Sequence, residues 1–591
     1  MPKRLFEKYL SQFPWATCGR PESFGELVSK WEMQKSQVKL FQARPKISVV
    51  IPAAEASQVE VQTTLASLVL QSYSDWEALV AGGTPGKVSD PRIRYFPSKD
   101  LAIKAANGEW LFFLKAQDAL NPTAFYFFML EALRHPDTAI LYANEFHLVS
   151  DSQKSLEAVS KPRFSWFDLI HFNYLGRAWL VRRELWNQWS PQHELECFFR
   201  AEESGKAFHL VPYFLYYRRN PFDISCSEEE RQIVISHLKR KAFPAFVEFE
   251  GEGRGKRLVV RPKIQDPSRE LVSVVICFKD KSDWTIESLR NLVQRAGRVP
   301  LEIFLINNGS KPSERQLVQQ SLAQIPWPAE IVDYPGAFNF AEMHHQVLRH
   351  RAKGKYFFLL NNDVFLKQGT VEDLVGWAQY DWVGTVGICL KYPHGDIQHG
   401  GFRAFFGGLA HLARLGHEQA ETVFTFQNRE VFGNTFAACL IARDTFEKMG
   451  GLRPLDLPNG FGDVAFNFEC LRHGLKCLFL GQVLGVHLES ASRGEGYEYW
   501  EECVIEREYP DILQRMLRED LGIGRLPNRD LSARDFVVDW LKITVRQRFP
   551  WVKPLKTQMK KRLREWGLRG DNELVNLALQ EASSIEAERH R

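Results

Sequence analysis

Several signatures of common protein classes are missing from this sequence. Its nine cysteines are scattered and never spaced as CxxC, which argues against a zinc site or a disulfide framework and predicts reduced thiols in a cytoplasmic protein. The first residues lack the apolar core and cleavage site of a secretory signal, and no stretch is apolar enough to span a bilayer. Neither candidate opening strand leads into a glycine-rich phosphate loop, which excludes dinucleotide-binding and P-loop chemistries.

An excess of charge of one sign is also missing. The 76 lysines and arginines nearly balance the 72 aspartates and glutamates, so a globally basic nucleic-acid-binding protein is not expected. Hydrophobic residues make up 45% and charged residues 25% of the chain, as in average soluble globular proteins. A chain of 591 residues is too long for one ordinary domain and predicts several.

The chain contains a diverged tandem duplication. KISVVIP at 46–52 and LVSVVICFKD at 271–280 are both apolar, β-branched runs typical of a buried parallel strand. At a constant offset, NGEWLFFLKAQD at 107–118 aligns with KGKYFFLLNNDV at 353–364. Both copies alternate apolar strands with amphipathic stretches, which predicts two α/β domains with largely parallel sheets.

Composition divides the chain into five segments. We expect an N-terminal helical segment, a first copy, a linker rich in glycine, charge and proline, a second copy, and a basic helical tail, at 1–45, 46–249, 250–270, 271–510 and 511–591. In the tail, Leu555, Met559, Leu563 and Trp566 recur at helical spacing opposite the basic residues. Such a helix suits either an anionic membrane surface or the body of the protein itself.

Polar residues follow two apolar strands of the second copy. Asn361, Asn362 and Asp363 end one strand, and Asn307 and Asn308 end another. In open α/β sheets ligands bind at the carboxyl edge of the strands, where a carboxylate together with substrate phosphates can hold a divalent cation. The alternative interpretation is a set of ordinary turn residues.

The order of motifs in the second copy is more specific than any single motif. The segments are GAFNFAEMHH at 336–345, NND at 361–363, DIQHGGF at 396–402, NTFAACLIARDTFEKMGG at 434–451, FGDVAFNFECLRHGLK at 461–476 and VHLESASRG at 486–494. This order resembles the family 2 glycosyltransferases, in particular the bacterial group that builds O-antigen and related surface polysaccharides. The first copy resembles the same family in three segments, SVVIP, QSYSDWE and KPRFSWFDLIHFNYLGR. The resemblance therefore covers about four fifths of the chain.

The resemblance implies a GT-A-like, nucleotide-diphosphate-sugar transferase fold in both copies and a metal-dependent site in the second. Asp363 stands in the family's metal-binding element, and His487 resembles its later metal-ligating histidine. An oxygen and imidazole set suits Mn²⁺ or Mg²⁺, and the imidazole favours manganese. Asp463 occupies the place of the catalytic base, although helix capping is the simpler interpretation of its position.

The resemblance also implies a set of substrate contacts. Nucleotide-sugar binding falls to Asn307, Asn308, Asn339, Asn361 and Asn362, and contact with the acceptor or donor sugar to His399, Gly400 and Arg493. Two residues depart from the family pattern. Asn307 stands where an aspartate usually binds the nucleoside, and Ala465 stands where a second acidic residue often follows the base.

The first copy carries fewer of these groups. By the internal alignment Gln117 takes the position of Asp363, Lys115 that of Asn361, and Ala81 that of the nucleoside-binding acid. Asp118 is the carboxylate left nearby, and a shift of register would bring it into use only beside Lys115, which repels a metal ion. We therefore expect a degenerate first copy that scaffolds, dimerises or grips the acceptor.

Two functions remain open from the sequence. The first is an inverting glycosyltransferase for a hexose, deoxyhexose or pentose, with a nucleotide-diphosphate sugar as donor and a lipid-linked or polysaccharide acceptor. We expect it in the cytoplasm, at the inner face of the membrane if the basic helix binds there. The second is a catalytically inactive glycan-binding or assembly scaffold, which Asn307 and Ala465 favour. A glycoside hydrolase would need two carboxylates flanking the bond, and the sequence offers no such pair.

Overall fold

The computed structural model describes residues 41, 43–150, 155–219, 226–251, 256–405, 408–411, 427–488 and 499–519. The first copy forms a sheet of nine strands: β1 Ile47–Pro52, β2 Trp76–Ala81, β3 Ile93–Phe96, β4 Trp110–Phe113, β5 Ala119–Leu120, β6 Thr138–Ser150, β7 Ser155–Val159, β8 Trp179–Arg182 and β9 Ala207–Arg218. Its helices are α1 Gln58–Val69, α2 Lys99–Lys104, α3 Ala124–Arg134, α4 Trp166–Leu169, α5 Arg183–Trp189, α6 Glu194–Glu203 and α7 Glu228–Arg240.

A two-stranded hairpin, β10 Ala245–Glu250 and β11 Arg257–Pro262, precedes the second copy. The strands that follow are β12 Val272–Phe278, β13 Leu301–Asn307, β14 Ala329–Asp333, β15 Tyr356–Leu360, β16 Val364–Gln368, β17 Val383–Lys391, β18 Ile397–His399, β19 Phe402–Phe405, β20 Gly408–His411, β21 Arg429–Val431, β22 Ala438–Ala442 and β23 Lys476–His487. The helices are α8 Ser282–Gln294, α9 Pro312–Ser321, α10 Phe340–His350, α11 Val371–Ala378, α12 Arg443–Lys448, α13 Gly462–Arg472, α14 Tyr499–Glu508 and α15 Pro510–Glu519.

The two sheets repeat one topology. Their strands lie in the orders β3-β2-β1-β4-β8-β6-β9-β5 and β14-β13-β12-β15-β22-β17-β23-β16. In each sheet the first four strands are parallel, the fifth is antiparallel to both neighbours, and the sixth and seventh are again parallel. The predicted fold class, tandem α/β domains with mostly parallel sheets, is confirmed.

The same buried hydrogen bonds hold the centre of both sheets. In the second copy the Ser273 hydroxyl donates to Glu302 at 2.5 Å and accepts the Gly354 N–H at 2.8 Å. In the first copy Ser48 makes the corresponding contacts with Glu77 at 2.6 Å and the Gly108 N–H at 2.8 Å. A Cβ atom on Gly354 would stand 2.5 Å from the Ser273 backbone nitrogen, so the close approach of the two strands requires glycine there.

Part of the predicted linker, residues 250–270, is folded. Strand β11 buries Leu258, Val259 and Val260, and the Arg261 guanidinium lies 2.8 Å from the Asp373 carboxylate on α11. The hairpin therefore packs on the second copy instead of serving as a free connector, because its apolar side chains lie in a core shared with α11.

The two copies share an aromatic core. Phe167 of the first copy meets Trp377 of the second edge to face, with ring centroids 4.7 Å apart, and Trp166 lies 6.4 Å from Trp382. Polar contacts flank this aromatic cluster: the Ser165 hydroxyl donates to the Glu430 carboxylate at 2.9 Å, and the Glu430 N–H donates to Asp168 at 2.7 Å. Phe167 and Trp377 are almost fully buried, so the contact belongs to the protein core.

The predicted N-terminal helical segment at 1–45 lies almost entirely outside the described residues, as does the basic tail beyond residue 519. Helix α15 is the one described part of that tail. Within the described ranges, every helix is too short or too polar to cross a membrane.

Candidate active site

The polar residues of the second copy gather at one edge of its sheet. Strands β12, β13 and β15 are parallel, and β23 runs in the same direction because it is parallel to β17 and two antiparallel steps separate β17 from β15. The carboxyl ends of these strands therefore meet, which brings Asn307, Asp363 and His487 to the same edge.

Asp363 and His487 form a close pair at this edge. One carboxylate oxygen of Asp363 lies 3.3 Å from Nε2 of His487, and both side chains are largely buried. Their separation is fixed by the backbone, because Val364 pairs with His487 between β16 and β23 and the Leu488 N–H donates to the Asp363 carbonyl at 3.1 Å. The two residues predicted as metal ligands are thus brought together.

Gln398 orients the imidazole of His487. Its Oε1 lies 2.6 Å from His487 Nδ1, which donates to it, and the other ring nitrogen, Nε2, faces Asp363. The Nε2 amide nitrogen of Gln398 is buried and has no hydrogen-bond partner among the described residues. It therefore has donor capacity left for a ligand.

This donor set fits a divalent cation. Two cis ligands about 2.1 Å from one octahedral ion lie about 3.0 Å apart, close to the observed separation of the Asp363 oxygen and His487 Nε2. The hydrogen bond to Gln398 is the kind of outer contact that holds a ligating histidine in one tautomer. One carboxylate, one imidazole and the phosphates of a bound nucleotide would together suit Mn²⁺ or Mg²⁺.

Asp463 lies in the first turn of α13 but does not cap it, because Phe461 occupies the capping position. Helix α13 begins after Phe461, whose φ of 55° is left-handed, and the Asp463 carboxylate accepts the N–H groups of Val464 at 2.9 Å and Phe436 at 3.3 Å. Burial raises the pKa of the Asp463 carboxyl above its ordinary value, although these N–H donors oppose the rise. A half-buried carboxylate with a raised pKa is suited to take up a proton.

A short segment before β22, residues 435–437, links the separate motifs. The Thr435 N–H donates to His399 at 3.3 Å, and the Phe436 N–H donates to Asp463. The Ala437 carbonyl accepts the Asn361 N–H at 2.8 Å. Consecutive backbone groups therefore hold the turn after β15, helix α13 and the IQHGG motif to one another.

The asparagines after β13 are occupied by protein contacts. Asn307 donates to the Asp333 carboxylate at 2.7 Å and accepts the Ser310 N–H at 2.9 Å, and Asn308 donates to the Gly336 carbonyl at 3.0 Å. Asp333, at the end of β14, pairs with the Arg315 guanidinium at 2.8 Å, and Arg315 and Asn307 lower the pKa of Asp333. The nearest acidic group at this strand end thus comes from the adjacent strand.

The other residues predicted to contact the substrates make hydrogen bonds within the protein, except for one that lies outside the described residues. Asn339 caps α10 by accepting the Glu342 N–H at 2.8 Å, and its amide nitrogen donates to the Pro454 carbonyl at 3.0 Å. The Asn362 amide donates to the Thr285 hydroxyl at 3.2 Å. His399 is buried, the Gly400 carbonyl accepts a hydrogen bond from Arg429, and Arg493 lies outside the described residues.

The equivalent edge of the first copy is built differently. Ala119 pairs with Tyr217 as Phe365 pairs with Val486, so Arg218 takes the position of His487, while Gln117 takes that of Asp363. Asp118 is fully buried and bonds to the Arg177 guanidinium and the Tyr216 hydroxyl, each at 2.7 Å. A guanidinium and an amide thus stand where the second copy has an imidazole and a carboxylate.

Lys115 adds a further positive charge at the first-copy edge. Arg177 and burial lower the pKa of Lys115, because the neighbouring guanidinium disfavours a second cation. Positive side chains at the place of a metal ion repel such an ion. The first copy thus lacks the residues predicted to bind a metal ion and has positive side chains at the same edge.

Three features of the site escaped the sequence analysis. Gln398 lies beside His399 in the IQHGG motif, but the contact with His487 depends on how β18 packs near the end of β23. Asp333 comes from a different strand than Asn307, and the role of residues 435–437 depends on backbone groups. The one signal in the sequence for these features is the position of Gln398 next to His399 in the IQHGG motif.

Comparison with known proteins shows which family the second copy matches and which proteins resemble the chain. The profile of the family described as "Glycosyl transferase family 2" matches residues 273–449. The "O-antigen biosynthesis protein RfbC" of Myxococcus xanthus is 27% identical over 76% of this chain and 38% of its own length. The "Uncharacterized protein y4gI" of Sinorhizobium fredii is 24% identical over 85% of this chain and 59% of its own length. The chain thus spans about two fifths to three fifths of these curated relatives.

Solved structures align loosely with the chain. A structure of GalNAc-T7 with UDP, GalNAc and Mn²⁺ has a TM-score of 0.34 at 15% identity, covering 41% of this chain and 50% of that one. The mannosyltransferase PcManGT from Pyrobaculum calidifontis, with GDP-Man and Mn²⁺, has a TM-score of 0.30 at 13% identity, covering 47% and 87%. The family match, by contrast, lies on the strands and turns that carry Asp363. The resemblance noted in the sequence is therefore confirmed for residues 273–449, which match the family 2 glycosyltransferases.

Proposed function

We propose that the chain transfers a sugar from a nucleotide-diphosphate sugar to a growing bacterial surface polysaccharide, with inversion at the anomeric carbon, at a single site in the second copy. The observation that carries this proposal is the Asp363–His487 pair, at 3.3 Å, inside the family 2 domain. The name of the Myxococcus xanthus relative, an O-antigen biosynthesis protein, supports the acceptor class. A lipid-linked saccharide is the acceptor we favour.

Asp363 and His487 would hold a Mn²⁺ or Mg²⁺ ion, with Gln398 keeping the imidazole in place. When bound, such an ion supplies Lewis-acid stabilisation of the charge that develops on the departing nucleoside diphosphate. The asparagines at the strand ends would contribute to nucleotide binding at this edge.

Asp463 would act as the base. Its carboxylate takes the proton of an acceptor hydroxyl while that oxygen bonds to the anomeric carbon and the bond to the phosphate oxygen breaks. Attack from the face opposite the leaving group inverts the configuration. The raised pKa of Asp463 suits this step, because a stronger base takes the proton more readily.

The first copy would contribute without chemistry of its own. Arg218 and Gln117 replace the metal-binding pair there, and Asp118 is engaged by Arg177. We propose that this copy supports the second through the shared aromatic core and positions the acceptor. Contact of the basic tail with a membrane belongs to the same proposal.

The test is nucleotide binding with and without metal. We would follow thermal unfolding of the wild type and of Asp363→Asn with UDP, dTDP and GDP, each with Mn²⁺ or with EDTA. A ligand at a hundred times its dissociation constant adds about 2.7 kcal/mol to the free energy of unfolding, which shifts the midpoint by a few degrees. We expect one nucleotide to stabilise the wild type with Mn²⁺ and not with EDTA.

Asp381→Asn is the matched control, since Asp381 is an exposed aspartate of the same domain. It should respond as the wild type does, whereas Asp363→Asn should lose the shift. Absence of any shift in the wild type would favour the inactive scaffold. Sugar transfer from the matching donor, measured as release of the nucleoside diphosphate, then completes the assignment.

A further inference from the structure

The first copy carries a cluster of metal-ligating side chains far in sequence from the proposed active site. Glu131 lies on α3, His135 follows at the carboxyl end of that helix, and His209 lies on β9. One potential ligand atom from each of the three residues lies within 4.8 Å of the other two. Residues four apart on a helix share one face, which explains how Glu131 and His135 meet.

The carboxylate stands between the two imidazoles. Oε2 of Glu131 lies 3.0 Å from Nε2 of His209 and 3.5 Å from Nε2 of His135. The two rings are close and tilted relative to each other, with centroids 3.8 Å apart and planes at 30°. The same carboxylate oxygen thus has a nitrogen of each ring within reach.

From this geometry we propose that Glu131, His135 and His209 form a Zn²⁺ site. Ligand atoms at tetrahedral positions about 2.0 to 2.2 Å from zinc lie about 3.3 to 3.6 Å apart. The Glu131–His135 distance of 3.5 Å falls in that range, and the Glu131–His209 distance of 3.0 Å is slightly shorter. Two histidines and one carboxylate are a known zinc donor set, with a fourth position for water. Hard cations such as Mg²⁺ and Ca²⁺ prefer oxygen ligands, so this set discriminates against them.

Burial and the neighbouring residues influence the charge and orientation of the three side chains. Burial and the neighbouring His135 lower the pKa of His209, whereas Glu131 acts in the opposite direction. The second oxygen of Glu131 accepts a hydrogen bond from the Arg134 guanidinium at 2.8 Å, which leaves the other oxygen to face the imidazoles. Arg134 is more than half exposed, so water screens its repulsion of a bound cation.

A zinc ion at this site would crosslink two elements of the first copy and stabilise its fold. It joins the end of α3 to the early part of β9, two elements separated by more than seventy residues in the chain. A bound ion stabilises the folded state in proportion to its concentration over its dissociation constant, so zinc would raise the unfolding temperature of the first copy. This site is independent of the one proposed for sugar transfer, which lies in the second copy and takes a harder metal ion.

The experiment is calorimetric titration of the metal-free full chain with ZnCl₂ alone, in an Asp363→Asn background that silences the second-copy site. We expect one zinc per chain and a higher unfolding temperature. His135→Gln and His209→Gln should each weaken binding at least tenfold, because each removes one of three protein ligands. His350→Gln, an exposed histidine of the second copy, is the control and should bind as the parent does.

Titration of the same protein with Co²⁺ checks the ligand type without any histidine variant. Visible absorption of a tetrahedral ion, without the near-ultraviolet band of a cobalt–thiolate bond, is expected for two imidazoles and a carboxylate. The proposal is overturned if the parent binds no zinc, if both glutamine variants bind it unchanged, or if the thiolate band shows that cysteines hold the ion.

Discussion

Gln398 Oε1 accepts a hydrogen bond from Nδ1 of His487 at 2.6 Å, and the opposite nitrogen of the same ring lies 3.3 Å from Asp363. The three side chains thus form a line from β18 through β23 to the turn after β15. The glutamine therefore fixes the orientation of the imidazole ring relative to Asp363.

Removal of the Gln398 hydrogen bond should weaken metal binding and leave the fold intact. We expect Gln398→Leu to lower Mn²⁺ affinity by about 10- to 100-fold, since the imidazole loses its orienting partner. Gln398→Glu should retain affinity, because a carboxylate also accepts the Nδ1 proton. Mn²⁺ binding is measured by the loss of the free-ion paramagnetic resonance signal. Equal affinities for the leucine and glutamate variants would contradict the role of this contact.

Replacement of Asp463 should separate binding from catalysis. We expect Asp463→Asn to reduce kcat by about 100- to 10,000-fold while metal-dependent nucleotide binding persists. The Val464 and Phe436 N–H groups can still donate to the asparagine oxygen, so the start of α13 should hold. Asp444→Asn, an exposed aspartate near the start of α12, is the control. Loss of nucleotide binding in Asp463→Asn would instead indicate a structural role.

The pH profile of the wild type offers an independent test of Asp463. Burial raises the pKa of its carboxyl, and the base must be deprotonated to act, so activity should rise with pH above the ordinary range of an aspartate. The measurement is kcat/KM against pH at saturating metal. An acidic limb at or below the ordinary aspartate pKa would contradict the assignment.

Asp168 should make the contact between the copies sensitive to pH. Burial and the nearby Glu430 carboxylate raise its pKa to about 7. Because the folded protein binds this proton more tightly than the unfolded chain, stability is greatest below the unfolded pKa of about 3.9 and falls as pH rises through 7. Asp168→Asn should therefore be more stable than the wild type above pH 7 and similar near pH 4. Urea unfolding at the two pH values measures the difference, and a constant difference would refute this account.

The aromatic core between the copies should couple their unfolding. Trp377 is fully buried against Phe167, so Trp377→Ala should cost about 3 to 5 kcal/mol of unfolding free energy. We expect the transitions of both copies to move together in calorimetry. Leu455→Ala removes an apolar side chain that is 95% exposed and should change little. A shift confined to one of two separate transitions would show that the copies unfold independently.

The duplication and the strand ends could be predicted because both rest on local patterns. Apolar runs such as residues 356–360 identify buried strands, and parallel strands bring their carboxyl ends to one edge. The positions of Asp363 and of Asn307 follow directly from those two rules. Within the first copy, the loss of the metal-binding carboxylate could be predicted at Gln117 from alignment alone.

Other parts of the site depend on register and packing across the sheet. Arg218 takes the place of His487 only when the pairing of β5 with β9 is known. The contact of Asp333 with Asn307 crosses between neighbouring strands, and the Glu131–His209 pair joins a helix to a distant strand. Sequence spacing carries no information about such contacts, because the intervening chain can take many paths.

The aromatic contact between the two copies gives the first copy a structural role that does not depend on a catalytic site of its own. A second copy without its neighbour would expose Trp377 and Trp382 to water, and exposed apolar patches of this kind favour aggregation. Deletion of the first copy would therefore harm solubility even though Gln117 and Arg218 leave it without a metal-binding pair. We therefore expect substitutions at the strand edge of the first copy to be tolerated, and substitutions on the face that covers Trp377 to reduce solubility.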